Sequence, residues 1–157
     1  MDIQANIQSQ YHASLSMLRD AINKCPDPLW DDRSYRNHFW QISYHALFFT
    51  HLYLQPQFSA FKPWVYHRRG WESFPQEGEP YQKTEVLEYL EFVCQQAAQQ
   101  VPACDMDAPS GFHWLPFNRL EAHVYNIRHL QHHIGELCER LGLTSHVEVE
   151  WLINTHE

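Results

Sequence analysis

Leu120, Val124, Ile127, Leu130, Ile134, Leu137 and Leu141 follow one another at three- and four-residue steps. Apolar side chains at that spacing share one face of an α-helix and cannot share one face of a strand. A stripe this long must be buried against other elements, so it commits the chain to helix packing. Asn118 and Glu121 stand just ahead of it in a capping-box arrangement, and Gly142 is the expected stop.

Three more segments carry the same period. Ile3, Ile7, Tyr11, Leu15, Leu18 and Ile22 form the first stripe, which ends at Pro26 and Pro28. A second helix is expected from Ser34 to Leu54, with Asp31, Asp32 and Ser34 as capping candidates. On it His38, Gln41, Ile42, His45, Phe48, Phe49 and Leu52 share a face, with His45 near its middle. A third helix starts at Thr84, carries Val86, Leu87, Leu90, Val93, Cys94 and Ala97, and ends before Pro102. Between the second and third, Pro56, Pro63, Pro75 and Pro80 with Gly70 and Gly78 exclude a continuous helix. That connection still holds Phe58, Phe61, Trp64, Tyr66, Trp71 and Phe74, so it should pack on the helices. The expected fold is all-α, a four-helix bundle in one domain over residues 1–157, with a long aromatic-rich connection between helices two and three. The only strand candidate is the tail HVEVEW.

Composition narrows the function. A net charge of -8 disfavours nucleic acid or an anionic membrane as the main partner, since both require a basic footprint. The longest apolar run, Ala46 to Phe49, falls far short of the ~20 residues that span a bilayer, and the N-terminus lacks a signal-peptide pattern. A soluble cytoplasmic protein is the expectation. Cys25, Cys94, Cys104 and Cys138 form no C-x-x-C pair and read as small hydrophobes. Nucleotide-binding glycine loops, G-x-S-x-G and H-E-x-x-H are all missing. In PWVYHRRGW, Arg68 and Arg69 among Trp64, Tyr66 and Trp71 read first as a surface loop that stacks arginine on aromatics, the alternative being a site for an anionic group near a pocket.

Histidine is the abundant chemistry, with 12 residues. His129 and His133 lie four apart, one helical turn, so their rings stack on one face and can converge on one ion. His132 points elsewhere. By itself this pair also fits a solvated face. His45 adds weight because an imidazole on an apolar helix requires a partner, a metal or a neighbouring polar group. His12, His51, His67, His113, His123, His146 and His156 read as surface or incidental, and His38 as a core residue or a support for His45. Asn126 and Tyr125 are candidates to line a cleft beside the pair.

The stretches ISYHALFFTHLYL and YNIRHLQHHIGEL, with the order of the four helices, resemble the DinB/YfiT-like superfamily of helical metalloenzymes. The resemblance implies a metal triad of His45, His129 and His133, with Gly135 as the signature glycine; a glycine inside a helix is also expected to give room for a close neighbour. Glu136 stands where that family commonly has glutamine, a departure expected to matter little. The implied cofactor is a divalent metal ion, zinc by default, with nickel, iron or manganese as alternatives. Di-iron carboxylate chemistry is disfavoured, because neither E-x-x-H nor D-x-x-H occurs. The implied activity is a hydrolase or a low-molecular-weight-thiol-dependent transferase acting on a small-molecule substrate, in a homodimer. The alternative is a non-catalytic metal-binding or stress-response protein with a structural or vestigial site.

Overall fold

The computed structural model describes residues 2–75 and 77–153, so His156 lies outside the described residues. All regular structure among them is helical: α1 (Ile3–Lys24), α2 (Asp27–Trp30), α3 (Phe39–Leu54), α4 (Lys83–Gln100) and α5 (Arg119–Ser145), with a 3-10 turn at Phe58–Ala60. The four long helices pack in a ring, with α3 against α4 and α5, and α1 against the same two. No helix among the described residues is long and apolar enough to cross a membrane.

Local chemistry sets the helix ends. The Asp2 carboxylate accepts the Ala5 N–H at 2.9 Å and opens α1, and Asn118 accepts the Glu121 N–H at 2.9 Å to open α5. Helix α4 begins after Gln82, not at Thr84, because the Glu85 side chain accepts the Gln82 N–H at 2.7 Å. Helix α3 starts at Phe39, five residues later than expected from Ser34. The side chains expected to cap it are used elsewhere. Asp32 closes a turn on the Ser34 N–H at 2.9 Å, and Asp31 accepts from the Trp40 indole and the His38 ring, each at 2.8 Å. Gly142 does not end α5, which runs to Ser145 and stops at His146 with φ 53°. The HVEVEW tail forms no strand, but Val147 and Val149 rest on the core.

The core fills the ring. Ile7, Tyr11, Leu15, Leu18 and Ile22 of α1 are buried, whereas Ile3 is exposed. Nearly every residue of α3 is buried, apolar and polar alike; His45 and Phe49 are half-exposed and mark its one accessible edge. A helix apolar almost all round must be covered on nearly every side, and α3 is: α4 and α5 flank it, and the connection lays Phe61, His67, Trp71 and Phe74 against it. On α5 the buried line runs through Ala122, His123, Asn126, Leu130, His133, Ile134, Leu137 and Leu141, leaving Val124 exposed. A buried Arg119 donates to the Gln55 and Ser110 carbonyls at 2.8 and 2.9 Å, tying the end of α3 to the start of α5.

Candidate metal centre

His45 comes from the accessible edge of α3, and His129 and His133 from the face of α5 that packs on it. The structure brings these three imidazoles together. The Nε2 atoms of His45 and His133 each lie 3.2 Å from the Nε2 of His129, and the three ligand nitrogens fall within 4.8 Å of one another.

Two of the rings have their outer nitrogens held. His45 Nδ1–H donates to the Glu72 carbonyl at 2.5 Å, and His133 Nδ1–H donates to the Glu136 carboxylate at 2.6 Å. A neutral imidazole with its proton on Nδ1 carries a lone pair on Nε2. Two lone pairs therefore converge on the Nε2 of His129. A proton there satisfies only one of them, and a proton on the buried, unpartnered Nδ1 of His129 satisfies neither. In every neutral arrangement at least one inward lone pair lacks a donor. A cation answers that deficit, and 3.2 Å is close to the spacing of two imidazoles that each bind one zinc at about 2.0–2.1 Å in a tetrahedron. The donor set fits a divalent ion.

The electrostatics agree. Burial and the neighbouring imidazoles push His129 and His133 down to about 3, and burial lowers His45 against the opposing pull of the Glu72 carbonyl. All three are neutral at pH 7, the form that binds metal. Phe74 stacks on His45 at 4.3 Å between ring centres and meets His133 at 6.0 Å, while Phe49 contacts His45 at 4.7 Å and His129 at 5.5 Å. These two rings make an apolar collar around the site. Tyr125, Arg128, His129 and His132 line a groove of about 280 Å³ on the outer side of α5.

Several sequence expectations change here. Glu136 was expected to matter little, yet its carboxylate fixes the tautomer of His133. Gly135 makes no room for a neighbour, since it is exposed and an added Cβ would meet nothing within 4 Å. Asn126 does not line the cleft; it is buried and donates to the Tyr11 hydroxyl at 2.9 Å and the Thr50 carbonyl at 3.1 Å. Tyr125 does line the groove beside His129. His38 does not support His45 and bonds Asp31.

Of the histidines read as incidental, His123 and His51 are buried, bonded to Tyr11 and Tyr89 at 3.0 and 3.1 Å, and His67 bonds Tyr44 at 2.6 Å. His12 is half-buried, and His113 and His146 are exposed. Arg68 stacks on Trp71 and Tyr81, as the PWVYHRRGW reading expected. His132 is exposed and forms a second possible ligand group with His133 and Glu136, two of whose three members face solvent. No cysteine joins either group, and the Cys25 thiol is pushed up to about 12 by burial.

The helical fold and a cluster of three imidazoles that could hold a metal ion point to the class of helical metal-binding proteins. The family model of the DinB superfamily matches residues 10–137, which spans both the α3 and the α5 histidines, and the chain belongs to that superfamily. No curated protein and no solved structure matches the chain.

Proposed function

We propose that the chain is a metal-dependent enzyme that holds one divalent ion, zinc by default, on His45, His129 and His133 and acts as a hydrolase or a low-molecular-weight-thiol-dependent transferase. One observation carries the reading: Nε2 lone pairs from two helices meet at the Nε2 of His129 with too few protons to satisfy them. When bound, such an ion keeps its full charge and open coordination positions, which supply Lewis acidity toward a water, a carbonyl or a thiol.

The chain's own residues have separable tasks. The Glu72 carbonyl and the Glu136 carboxylate hold protons on the outer nitrogens of His45 and His133 and so keep their inner nitrogens free. Phe49 and Phe74 exclude water from the sides of the cluster. Tyr125 and Arg128 line the groove beside His129, and in this reading they bind the polar part of a small molecule.

Metal analysis of protein purified without an affinity tag tests this reading. The expected result is one divalent ion per chain, lost in His45→Ala and His133→Ala while the helical circular dichroism persists. Folded, metal-free protein that takes up neither zinc nor nickel overturns it. Screening loaded protein with ester, amide and thiol-transfer substrates then separates hydrolase from transferase. A chain that unfolds when its metal is removed supports instead the non-catalytic, structural alternative.

A further inference from the structure

A second cleft shares Phe49 and Glu72 with the surroundings of His45. The aromatic connection after α3 folds back on that helix and leaves a space of about 650 Å³, within the range of small-molecule sites. Its walls include Phe48 and Phe49 of α3 and Phe58 and Phe61 of the connection, and His67 and Glu72 form its polar end. Phe48 meets both Phe49 and Phe61 edge to face at 5.3 Å, so the rings present faces as well as edges to the space.

The residues that line the cleft include no lysine or arginine. One carboxylate oxygen of Glu72, Oε2, is shielded from solvent and accepts no hydrogen bond. The nearest partner, His67 Nε2, stands 3.6 Å away, beyond hydrogen-bond range. His67 is engaged on its other side, where Nδ1 faces the Tyr44 hydroxyl at 2.6 Å. Burial raises the Tyr44 pKa and lowers that of His67, so both stay neutral and neither brings a positive charge to Glu72. Arg68, four residues before Glu72, is committed to the faces of Trp71 and Tyr81 and to the Glu79 carbonyl. A shielded carboxylate oxygen without a donor is costly to maintain, and a ligand N–H removes that cost.

Aromatic faces and an uncompensated carboxylate select the same kind of guest. The ring quadrupole attracts cations, the carboxylate adds a full negative charge, and the walls favour an apolar body. We propose that this cleft binds a protonated primary amine with an aromatic or alkyl body, its ammonium on the Glu72 carboxylate and its body against Phe48, Phe58 and Phe61. Glu72 also holds His45 through its main-chain carbonyl, and Phe49 touches both His45 and His129, so the guest lies against the same framework that orients the metal ligands. The proposal does not depend on a metal being bound.

Calorimetric titration at neutral pH with phenethylammonium, neutral 2-phenylethanol and anionic 3-phenylpropionate tests it, on the protein as purified and after chelator treatment. The ammonium should bind saturably and about tenfold tighter than the alcohol, the equivalent of roughly 1.4 kcal/mol, and the anion should not bind. Glu72→Gln should abolish the preference for ammonium, and Phe58→Ala, at a residue 53% exposed, should weaken ammonium and alcohol alike. Equal binding of the three probes, no saturable ammonium binding, or a preference that survives Glu72→Gln overturns the proposal. Ammonium binding that disappears on chelation also overturns it, because the amine would then be a metal ligand. Failure of the metal reading leaves the expected titrations unchanged.

Discussion

The Glu136 carboxylate and the His133 Nδ1 are 2.6 Å apart, three residues along one helix. The pair shares a turn of α5, so the support for this proposed ligand is built into the same element as the ligand itself. Its consequence is measurable. Glu136→Ala frees His133 to rotate and to change tautomer, and metal affinity should fall about 10–100-fold in chelator competition. Glu136→Gln keeps an oxygen acceptor at the same place and should stay close to the parent. Loss of equal size in both variants would show that the charge matters and the hydrogen bond does not.

Metal should stabilise the fold in proportion to its occupancy. At a free zinc concentration a hundred times the dissociation constant, the gain is about 2.7 kcal/mol, read as a rise in Tm over the chelator-treated protein. His129→Ala should erase the rise, since His129 is the nitrogen that both other imidazoles face. His132→Ala should leave it intact. The reverse outcome would move the ion to the outer group of His132, His133 and Glu136.

Acid should destabilise the chain through its buried histidines, those of the His45, His129 and His133 cluster and two outside it. Burial holds His51 and His123 down to about 4, against 6.5 for an ordinary histidine. Between those values the unfolded chain binds more protons than the folded one. Stability is therefore complete above pH 6.5 and declines as the pH falls toward 4, by up to about 1.4 kcal/mol per unit for each histidine. Urea unfolding of chelator-treated protein at steps from pH 7.5 to 4.5 measures the slope. His51→Phe, in a pocket already lined by Phe61, Tyr89 and Phe92, should reduce it; an unchanged slope would remove His51 from the account.

Two glycines should respond to alanine with opposite signs. Gly111 has φ +82°, and a Cβ there would stand 2.1 Å from the Pro56 carbonyl oxygen. Gly111→Ala should lose at least about 1–3 kcal/mol from backbone strain alone. Gly135 is helical with open space around it, so Gly135→Ala should gain about 0.5–1 kcal/mol and leave metal affinity unchanged. Denaturant midpoints of the two variants decide both signs.

The all-helical character and the course of α1, α4 and α5 were legible because apolar period alone specifies them. Helix α3 was read less well because it is covered on nearly every side. Its residues are apolar on almost every side, so the period does not point to one face, and His45 was put in the middle of a buried surface when it stands on the open edge. On α5 the pattern took Val124 for core and passed over Asn126 and His123, because the buried line there is completed by hydrogen bonds instead of apolar atoms. The start of α3 was misread because Asp31 and Asp32 have two possible uses, and the choice depends on Trp40 and His38 folding back. The pairing of Glu72 with His45 joins residues 27 apart through a main-chain atom, and no side-chain pattern encodes that.

That last contact changes what mutation can reach. His45 is oriented by a carbonyl that every residue type possesses, so substitution at position 72 alters the side chain in the amine cleft and leaves the hydrogen bond available. His133 depends on a carboxylate that a single substitution deletes. One proposed ligand is thus insured by the path of the chain and the other by the identity of one residue. Insertions and deletions in the connection threaten the first, and point substitutions threaten the second.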